Sequence, residues 1–92
     1  MINLDKEDKE FLSFRIIQSG EIKKVPLTPV NLKINFRDIY LSLLKELKLK
    51  QKDTFLSNEE GKMIRIPDLS LSLEEIVHKF GPMLKLYSEK IF

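Results

Sequence analysis

Near its end the chain reads Ser72-Leu-Glu-Glu-Ile-Val-His-Lys-Phe-Gly-Pro-Met-Leu-Lys-Leu-Tyr87. The first four residues form a capping box, in which a serine and a glutamate three positions later satisfy free N–H groups at the start of a helix. The Gly-Pro pair ends that helix, because glycine commonly closes helices and proline cannot continue them. Residues 83–92 then predict a strand, with Leu84 and Leu86 on its buried side.

An amphipathic helix is predicted upstream of this segment. Asn35 is a suitable N-cap, and the carboxylate of Asp38 follows three residues later. A lysine-rich turn over residues 48–53 ends the helix and complements the negative end of its dipole. Leu41 lies off the apolar stripe, and the sequence leaves its packing open, while residues 28–31 resemble a linker. The stripe itself comprises Phe36, Ile39, Tyr40, Leu43, Leu44 and Leu47.

Four further segments predict strands. Residues 11–17 alternate between apolar and polar, and residues 22–28 follow after a turn, so together they predict a hairpin. Pro26 has no N–H to donate and therefore places the second of these strands at a sheet edge. Two short strands at 54–57 and 62–66 flank the next turn. The buried side of the first strand is expected to carry Leu12, Phe14 and Ile16.

This order of elements resembles that of the ubiquitin-like β-grasp superfamily over residues 11–92. The stretch Asp68-Leu-Ser-Leu-Ser-Leu-Glu-Glu-Ile76 is similar to the place where such proteins insert a short helix before their last strand. The resemblance implies an α+β fold, with a mixed four- to five-stranded sheet packed on one main helix and a short helix before the last strand. Residues 11–92 would be the ubiquitin-like domain, preceded by a flexible charged N-terminal tail, residues 1–10.

Composition limits the chain to one soluble domain. Its 92 residues, 42% hydrophobic and 33% charged, are enough for one modest core. No apolar run approaches the length of a membrane span, and the charged N-terminal region does not resemble a secretory signal. We therefore expect a cytoplasmic protein. The absence of cysteine excludes a disulfide framework, a thiolate nucleophile, a zinc ribbon and an iron–sulfur cluster.

The chain offers little for catalysis. His78 is its single histidine, and nothing near it in sequence resembles an orienting partner. The pairs Glu59-Glu60 and Glu74-Glu75 lie on a turn and in the first turn of a helix, where carboxylates serve solvation and the helix dipole. No glycine-rich phosphate-binding motif is present. We expect no enzymatic activity, no catalytic or metal-binding residue and no cofactor.

Two surfaces are candidates for protein binding. If alternate residues of the first strand point inward, the others form an outer sheet face, apolar with a basic rim. The second candidate is the basic edge strand with Lys23 and Lys24, near Arg37, Lys45 and Lys48 of the helix, where some ubiquitin-like domains bind small GTPases. Lys23 and Lys24 also have an explanation that needs no partner, because lysines on an edge strand prevent aggregation with other strands. The predicted protein-binding residues are Phe11, Arg15, Ile17, Lys23, Lys24, Lys85 and Tyr87.

These observations predict a non-enzymatic protein–protein interaction module or a small subunit of a larger complex. Its partner would be a protein and not a membrane, and self-association is left open. One alternative is a nucleic-acid-binding domain that uses the lysine-rich helix, although the net charge of +2 is small for that role. A second alternative is a ubiquitin-like modifier or sulfur carrier, which we disfavour because residues 89–92 replace the C-terminal Gly-Gly of those proteins.

Overall fold

The computed structural model describes residues 10–88, which form one sheet with helices on one side. Residues 1–9 of the predicted tail and residues 89–92 of the predicted last strand lie outside this description. The class is α+β, as predicted. In chain order the elements are β1 (Phe11–Ile16), β2 (Ile22–Pro26), α1 (Pro29–Leu32), α2 (Phe36–Leu47), a 3-10 turn (Gln51–Asp53), β3 (Thr54–Asn58), β4 (Met63–Ile64), a second 3-10 turn (Ile66–Ser70), α3 (Leu73–Phe80) and β5 (Met83–Ser88).

The five strands are arranged in the order β2-β1-β5-β3-β4. β1 pairs in parallel with β5, whereas the β1–β2, β3–β5 and β3–β4 pairs are antiparallel. The sheet is therefore mixed. Its central strand, β5, is the last strand of the described chain and is hydrogen-bonded on both sides.

β2 lies at an edge of the sheet, as Pro26 predicts. Ile16 N–H donates to the Glu21 carbonyl at 2.8 Å. Leu27 N–H donates to the Glu10 carbonyl at 3.0 Å. Since hydrogen-bonded pairs alternate along an antiparallel ladder, the backbone of Pro26 faces the free edge. Its missing N–H therefore removes no bond to β1.

Residues 28–31 are not a linker but contain the helical turn α1. The Thr28 hydroxyl caps it by accepting from the Asn31 N–H at 3.1 Å. Pro29 occupies the first helical position, where no N–H is needed. The Asn31 side-chain nitrogen donates to the Pro26 carbonyl at 2.9 Å and so ties the turn to the end of β2. The sequence signal for the start of this helix, which the prediction overlooked, is the pair Thr28-Pro29.

The hydrophobic core lies between the inner face of the sheet and the helices. Phe14 of β1 stacks on Phe36 of α2 with 6.1 Å between ring centroids, and Phe36 stacks on Tyr40 at 6.2 Å. Leu41 points away from the core and is 41% exposed. The predicted facing of β1 and β5 is confirmed. The buried set is Leu12, Phe14, Ile16, Phe36, Tyr40, Leu43, Leu44, Leu56, Ile64, Leu69, Leu73, Ile76, Phe80, Leu84 and Leu86.

Local hydrogen bonds set the ends of the two longer helices. The Asn35 side chain accepts from the Arg37 N–H at 2.9 Å and starts α2. The predicted capping box starts α3: Ser72 N–H donates to Glu75 Oε1 at 2.9 Å, and Glu75 N–H donates to Ser72 Oγ at 3.2 Å. Gly81 ends α3 at φ +93°. Within residues 10–88, no helix combines the length and apolar character needed to cross a bilayer.

Asp68 holds the second 3-10 turn against α3. Its Oδ1 accepts from Lys79 Nζ at 2.9 Å, and its Oδ2 accepts from the Arg65 N–H at 3.0 Å. The hydrogen bond from Lys79, followed by that from Arg65, lowers the pKa of this carboxyl below its ordinary value. The ionised form is therefore favoured in the folded state.

We expect Asp68→Asn to cost about 1 kcal/mol in the free energy of unfolding at pH 7. Because the folded pKa is lowered, this contribution is complete above the ordinary pKa of about 3.9 and is lost as pH falls through the folded pKa. Urea unfolding of both proteins between pH 7 and pH ~3 measures it. Glu59→Gln, on the exposed β3–β4 turn, is the control and should change little. A wild-type advantage that grew as pH fell would contradict the assignment.

Candidate interaction face on the outer side of the sheet

One side of the sheet faces away from α2, and we call it the outer face. Successive side chains of a strand alternate between sides, and directly paired residues share a side. The core-facing residues of each strand therefore identify the outward ones. Ile17 follows β1 on the same side as Arg15, and its N–H donates to the Leu86 carbonyl at 3.0 Å. The outer face comprises Phe11, Ser13, Arg15, Ile17, Ile22, Lys24, Pro26, Phe55, Ser57, Met63, Met83, Lys85 and Tyr87.

The strand registers arrange these side chains in rows across the sheet. A central row crosses all five strands, because Arg15 pairs with both Ile22 and Lys85, and Ser57 pairs with both Lys85 and Met63. From β2 to β4 the row consists of an apolar residue, two cations, a hydroxyl and a second apolar residue, namely Ile22, Arg15, Lys85, Ser57 and Met63. The two cations therefore occupy the second and third strands of the sheet.

The rows on either side of the central row are more apolar. Toward the end of β5, Phe55 stacks on Tyr87 with ring centroids 4.8 Å apart and planes inclined by 9°. Toward the start of β1, Ser13 lies between Lys24 and Met83, which pair with it from the two neighbouring strands. Those neighbours leave Ser13 only 7% exposed although it points outward.

The outer face concentrates the exposed apolar side chains of the described chain. Eight large apolar residues within residues 10–88 are well exposed, and five of them lie on this face. The other three, Val30, Leu41 and Ile66, lie elsewhere. Apolar groups gathered on one side usually mark a binding surface, whereas single exposed ones are ordinary. The five are Ile17, Ile22, Phe55, Met63 and Met83, at 41%, 51%, 38%, 42% and 41% exposure.

All charged side chains at the outward strand positions described here are basic. They are Arg15, Lys24 and Lys85, and no carboxylate occupies such a position. Lys24 Nζ lies 5.5 Å from the centroid of the Phe11 ring, a distance that allows a cation–π contact. The outer face is thus apolar and cationic together.

The structure brings six of the seven predicted binding residues onto the outer face and places Lys23 on the opposite side. Lys23 Nζ lies 2.9 Å from Glu46 Oε2 of α2 and 3.2 Å from Glu21 Oε2. The hydrogen bonds to Glu46 and then Glu21 raise the pKa of Lys23. The basic pair of β2 is therefore divided between the two sides, because alternation along the strand separates adjacent residues.

Four of the five exposed apolar residues of the outer face were missing from the sequence-based set. Ile22, Met63 and Met83 begin strands or lie in a very short one, where alternation is hard to read. Phe55 precedes the buried Leu56 in β3, so the same period of two that was applied to β1 would have placed it outward. Its aromatic contact with Tyr87 depends on the β3–β5 register, which local sequence does not give.

The groove between β2 and α2 is less basic than predicted. Val25, Ile39 and Leu43 line it, while Lys23 shares its charged lining with two carboxylates, Asp38 and Glu46. Arg37 and Lys45 of α2 are exposed, as is Lys48 directly after the helix. The carboxylates reduce the net positive charge of this groove, which makes the outer face the more strongly cationic of the two candidates.

His78 and Tyr40 are two further titratable side chains of the described residues. His78 is exposed on α3, and no group of three or more histidines and carboxylates in residues 10–88 is close enough to hold a metal ion. Burial raises the pKa of Tyr40, while its hydrogen bond to the Thr54 hydroxyl opposes that shift. This tyrosine joins α2 to the start of β3.

Comparison with known proteins gave no match, either to a protein-family model or to a curated protein. The strand order and the outer face are therefore the features from which a function can be proposed.

Proposed function

We propose that this chain is a ubiquitin-like β-grasp domain that acts as a non-enzymatic protein-interaction module or as a small subunit of a larger complex. The strand order β2-β1-β5-β3-β4, with the parallel β1–β5 pair inside the sheet, supports the β-grasp assignment. So does the placement of α2 after the first hairpin and of α3 before β5. A fold by itself does not give a function, which has to come from the surface.

The observation that carries the proposal is the outer face, which is apolar, cationic and, at its described strand positions, free of carboxylates. From strand spacing and rise we estimate that it measures roughly 20 by 20 Å. That footprint suits one helix or a small partner surface. Burial of its exposed apolar side chains would stabilise a complex by about 25 cal/mol per Å² removed from water.

The charges of this face specify the partner's chemistry. Arg15, Lys24 and Lys85 lie among apolar side chains, so a partner that covers the face must also neutralise them. We propose a protein partner that presents apolar side chains together with carboxylates. The β2–α2 groove is the weaker candidate, because Lys23 already has two carboxylate partners.

We expect Ile17→Asp and Tyr87→Asp each to weaken binding of the partner by at least about 30-fold, since each places a carboxylate in an apolar contact. Proteins captured from the source cells by the full-length chain would be identified by mass spectrometry. The purified partner would then be titrated by calorimetry. Leu41→Asp is the matched control, because Leu41 and Ile17 are both 41% exposed and Leu41 lies on α2. Equal affinity for all folded variants would remove the outer face from consideration.

The same proteins test the alternatives. A nucleic-acid-binding role through the lysine-rich helix predicts oligonucleotide binding at ~50 mM salt that weakens steeply as salt increases. Absence of binding at that salt concentration would exclude the nucleic-acid-binding role. A modifier or sulfur-carrier role predicts a conjugate or a thiocarboxylate in the intact mass of the protein from its native cells, and either product would overturn our proposal.

A further inference from the structure

Arg15 and Lys85 form a pair of like charges at the centre of the outer face. They are directly opposite each other in the parallel pairing of β1 and β5. Side chains on neighbouring strands at one level lie about 5 Å apart at their Cβ atoms, and like charges placed in this way destabilise a sheet. The fold therefore sets two like charges side by side in the middle of its apolar outer face.

The residues around this pair do not neutralise it. Its neighbours across the sheet are Ile22 on one side and Ser57 on the other. Among residues 10–88, no carboxylate oxygen lies within ion-pair distance of Arg15 or Lys85. By contrast, Lys23 and Lys79 each have a carboxylate at 2.9 Å. Other cations of residues 10–88 also lack an ion pair, but among the described strand pairings only Arg15 and Lys85 set two cations directly opposite each other.

We infer that the partner of the outer face places one carboxylate over Arg15 and Lys85, with apolar side chains on both sides of it. This inference rests on the proposed function and specifies its partner. A carboxylate accepts charge-assisted hydrogen bonds from both a guanidinium and an ammonium group. A partner without one would have to bury two unpaired cations, which strongly opposes binding. The pair therefore selects acid-bearing partners as well as attracting them.

The rows of the outer face set the spacing of the partner's groups. Apolar side chains lie two residues along the strands on either side of the cation pair, a distance of roughly 7 Å. One side has the Phe55–Tyr87 stack and Ile17, and the other has Met83. On a helix, residues four apart share a face and are separated by about 6 Å along the axis. The partner is an amphipathic helix with an apolar residue at i, Asp or Glu at i+4 and an apolar residue at i+8.

This layout is also favoured by the architecture of the sheet. α2 covers the inner face, whereas no described element covers the outer one. A helix packed there would complete a third layer, a common way to cover both faces of a sheet. The rows cross the strands and follow one another along β1 and β5. A helix whose successive groups contact successive rows would therefore have its axis approximately along these two strands.

A displayed library of helical peptides, with one face randomised in an alanine-glutamine host, tests the inference on the full-length chain. We expect the enriched peptides to share Asp or Glu between two apolar positions. A synthetic copy of the strongest binder, and its Glu→Gln or Asp→Asn counterpart, would be titrated against the wild type, Arg15→Gln and Lys85→Gln. The peptide substitution and each of the two protein substitutions should weaken binding about 10-fold. In a protein that carries both Arg15→Gln and Lys85→Gln, the peptide substitution should lose its effect, because the cation pair is gone.

Arg37→Gln and Lys45→Gln are the matched controls, because both remove an exposed cation of α2. They should leave the affinity of the peptide within about twofold of the wild type. Enriched peptides without a central acid, or equal sensitivity to Lys45→Gln and Lys85→Gln, would overturn the inference. If peptides bound but were insensitive to Tyr87→Asp, the proposed function itself would fail. Absence of any enriched peptide would overturn the inference alone, because the titrations with Ile17→Asp and Tyr87→Asp test the proposed function separately. Binding to phosphatidylserine vesicles that was lost in Lys85→Gln would assign the face to a membrane instead.

Discussion

Phe14→Ala is expected to lower the free energy of unfolding by about 3–5 kcal/mol. Phe14 is fully buried and stacks on Phe36, so its removal leaves a cavity between β1 and α2. Domains of this size are stable by only about 5–10 kcal/mol, and the variant is therefore expected to be largely unfolded at moderate temperature. Urea unfolding followed by far-UV circular dichroism measures the loss.

Phe55→Ala is the matched control, because it deletes the same side chain from the outer face. Phe55 is 38% exposed and contacts Tyr87, so we expect its removal to cost about 1 kcal/mol or less. A comparable loss in the two variants would show that the outer face is part of the stabilising core. A small loss would mean that outer-face variants remain folded and report on binding alone.

Asn58→Ala is expected to cost about 3 kcal/mol, which is large for a polar residue. Asn58 is 5% exposed, and its side-chain nitrogen donates to the Phe80 carbonyl at 3.1 Å. Its side-chain oxygen accepts from the N–H groups of Glu60 and Lys62 at 3.0 and 2.8 Å. The substitution would remove a side-chain partner from each of these backbone groups and loosen the β3–β4 turn from the end of α3.

Asn31→Ala provides the comparison for that result. Its side-chain nitrogen also donates to a backbone carbonyl, that of Pro26 at 2.9 Å, but at the surface where water can replace it. We expect a loss of about 0.5 kcal/mol or less. Thermal and urea unfolding of both variants would distinguish the two sites. An Asn58→Ala protein as stable as Asn31→Ala would show that the buried amide is not needed for the turn.

Much of the local structure was predictable from neighbouring residues. Asn35 and Ser72 cap α2 and α3 as expected, because a cap is made by groups two or three residues apart. Alternation in the first and last predicted strands placed Leu84 and Leu86 in the core. Pro26 placed β2 at an edge, since its missing donor is incompatible with a central strand.

The composition of the candidate surface was only partly predictable. The alternation of β1 and β5 led to Arg15, Lys85 and Tyr87, and the structure places all three on the outer face. Lys23 was grouped with Lys24, although adjacent residues of a strand point to opposite sides. The role of Asn58 was not apparent because its partners include Phe80, whose position depends on how α3 packs.

The sequence by itself determined where α2 and α3 begin, which side of β1 and β5 is apolar, and which strand lies at an edge. These properties depend on hydrogen bonds and periodicities within a few residues. Only the tertiary structure decided the parallel register of β1 and β5. This register sets Arg15 beside Lys85, although the two residues lie near opposite ends of the sequence. That register depends on the packing of α2 and α3 against the sheet. The like-charge pair follows from it, whereas the stack of Phe55 on Tyr87 follows from the antiparallel register of β3 and β5. Together the two registers make the outer face continuous.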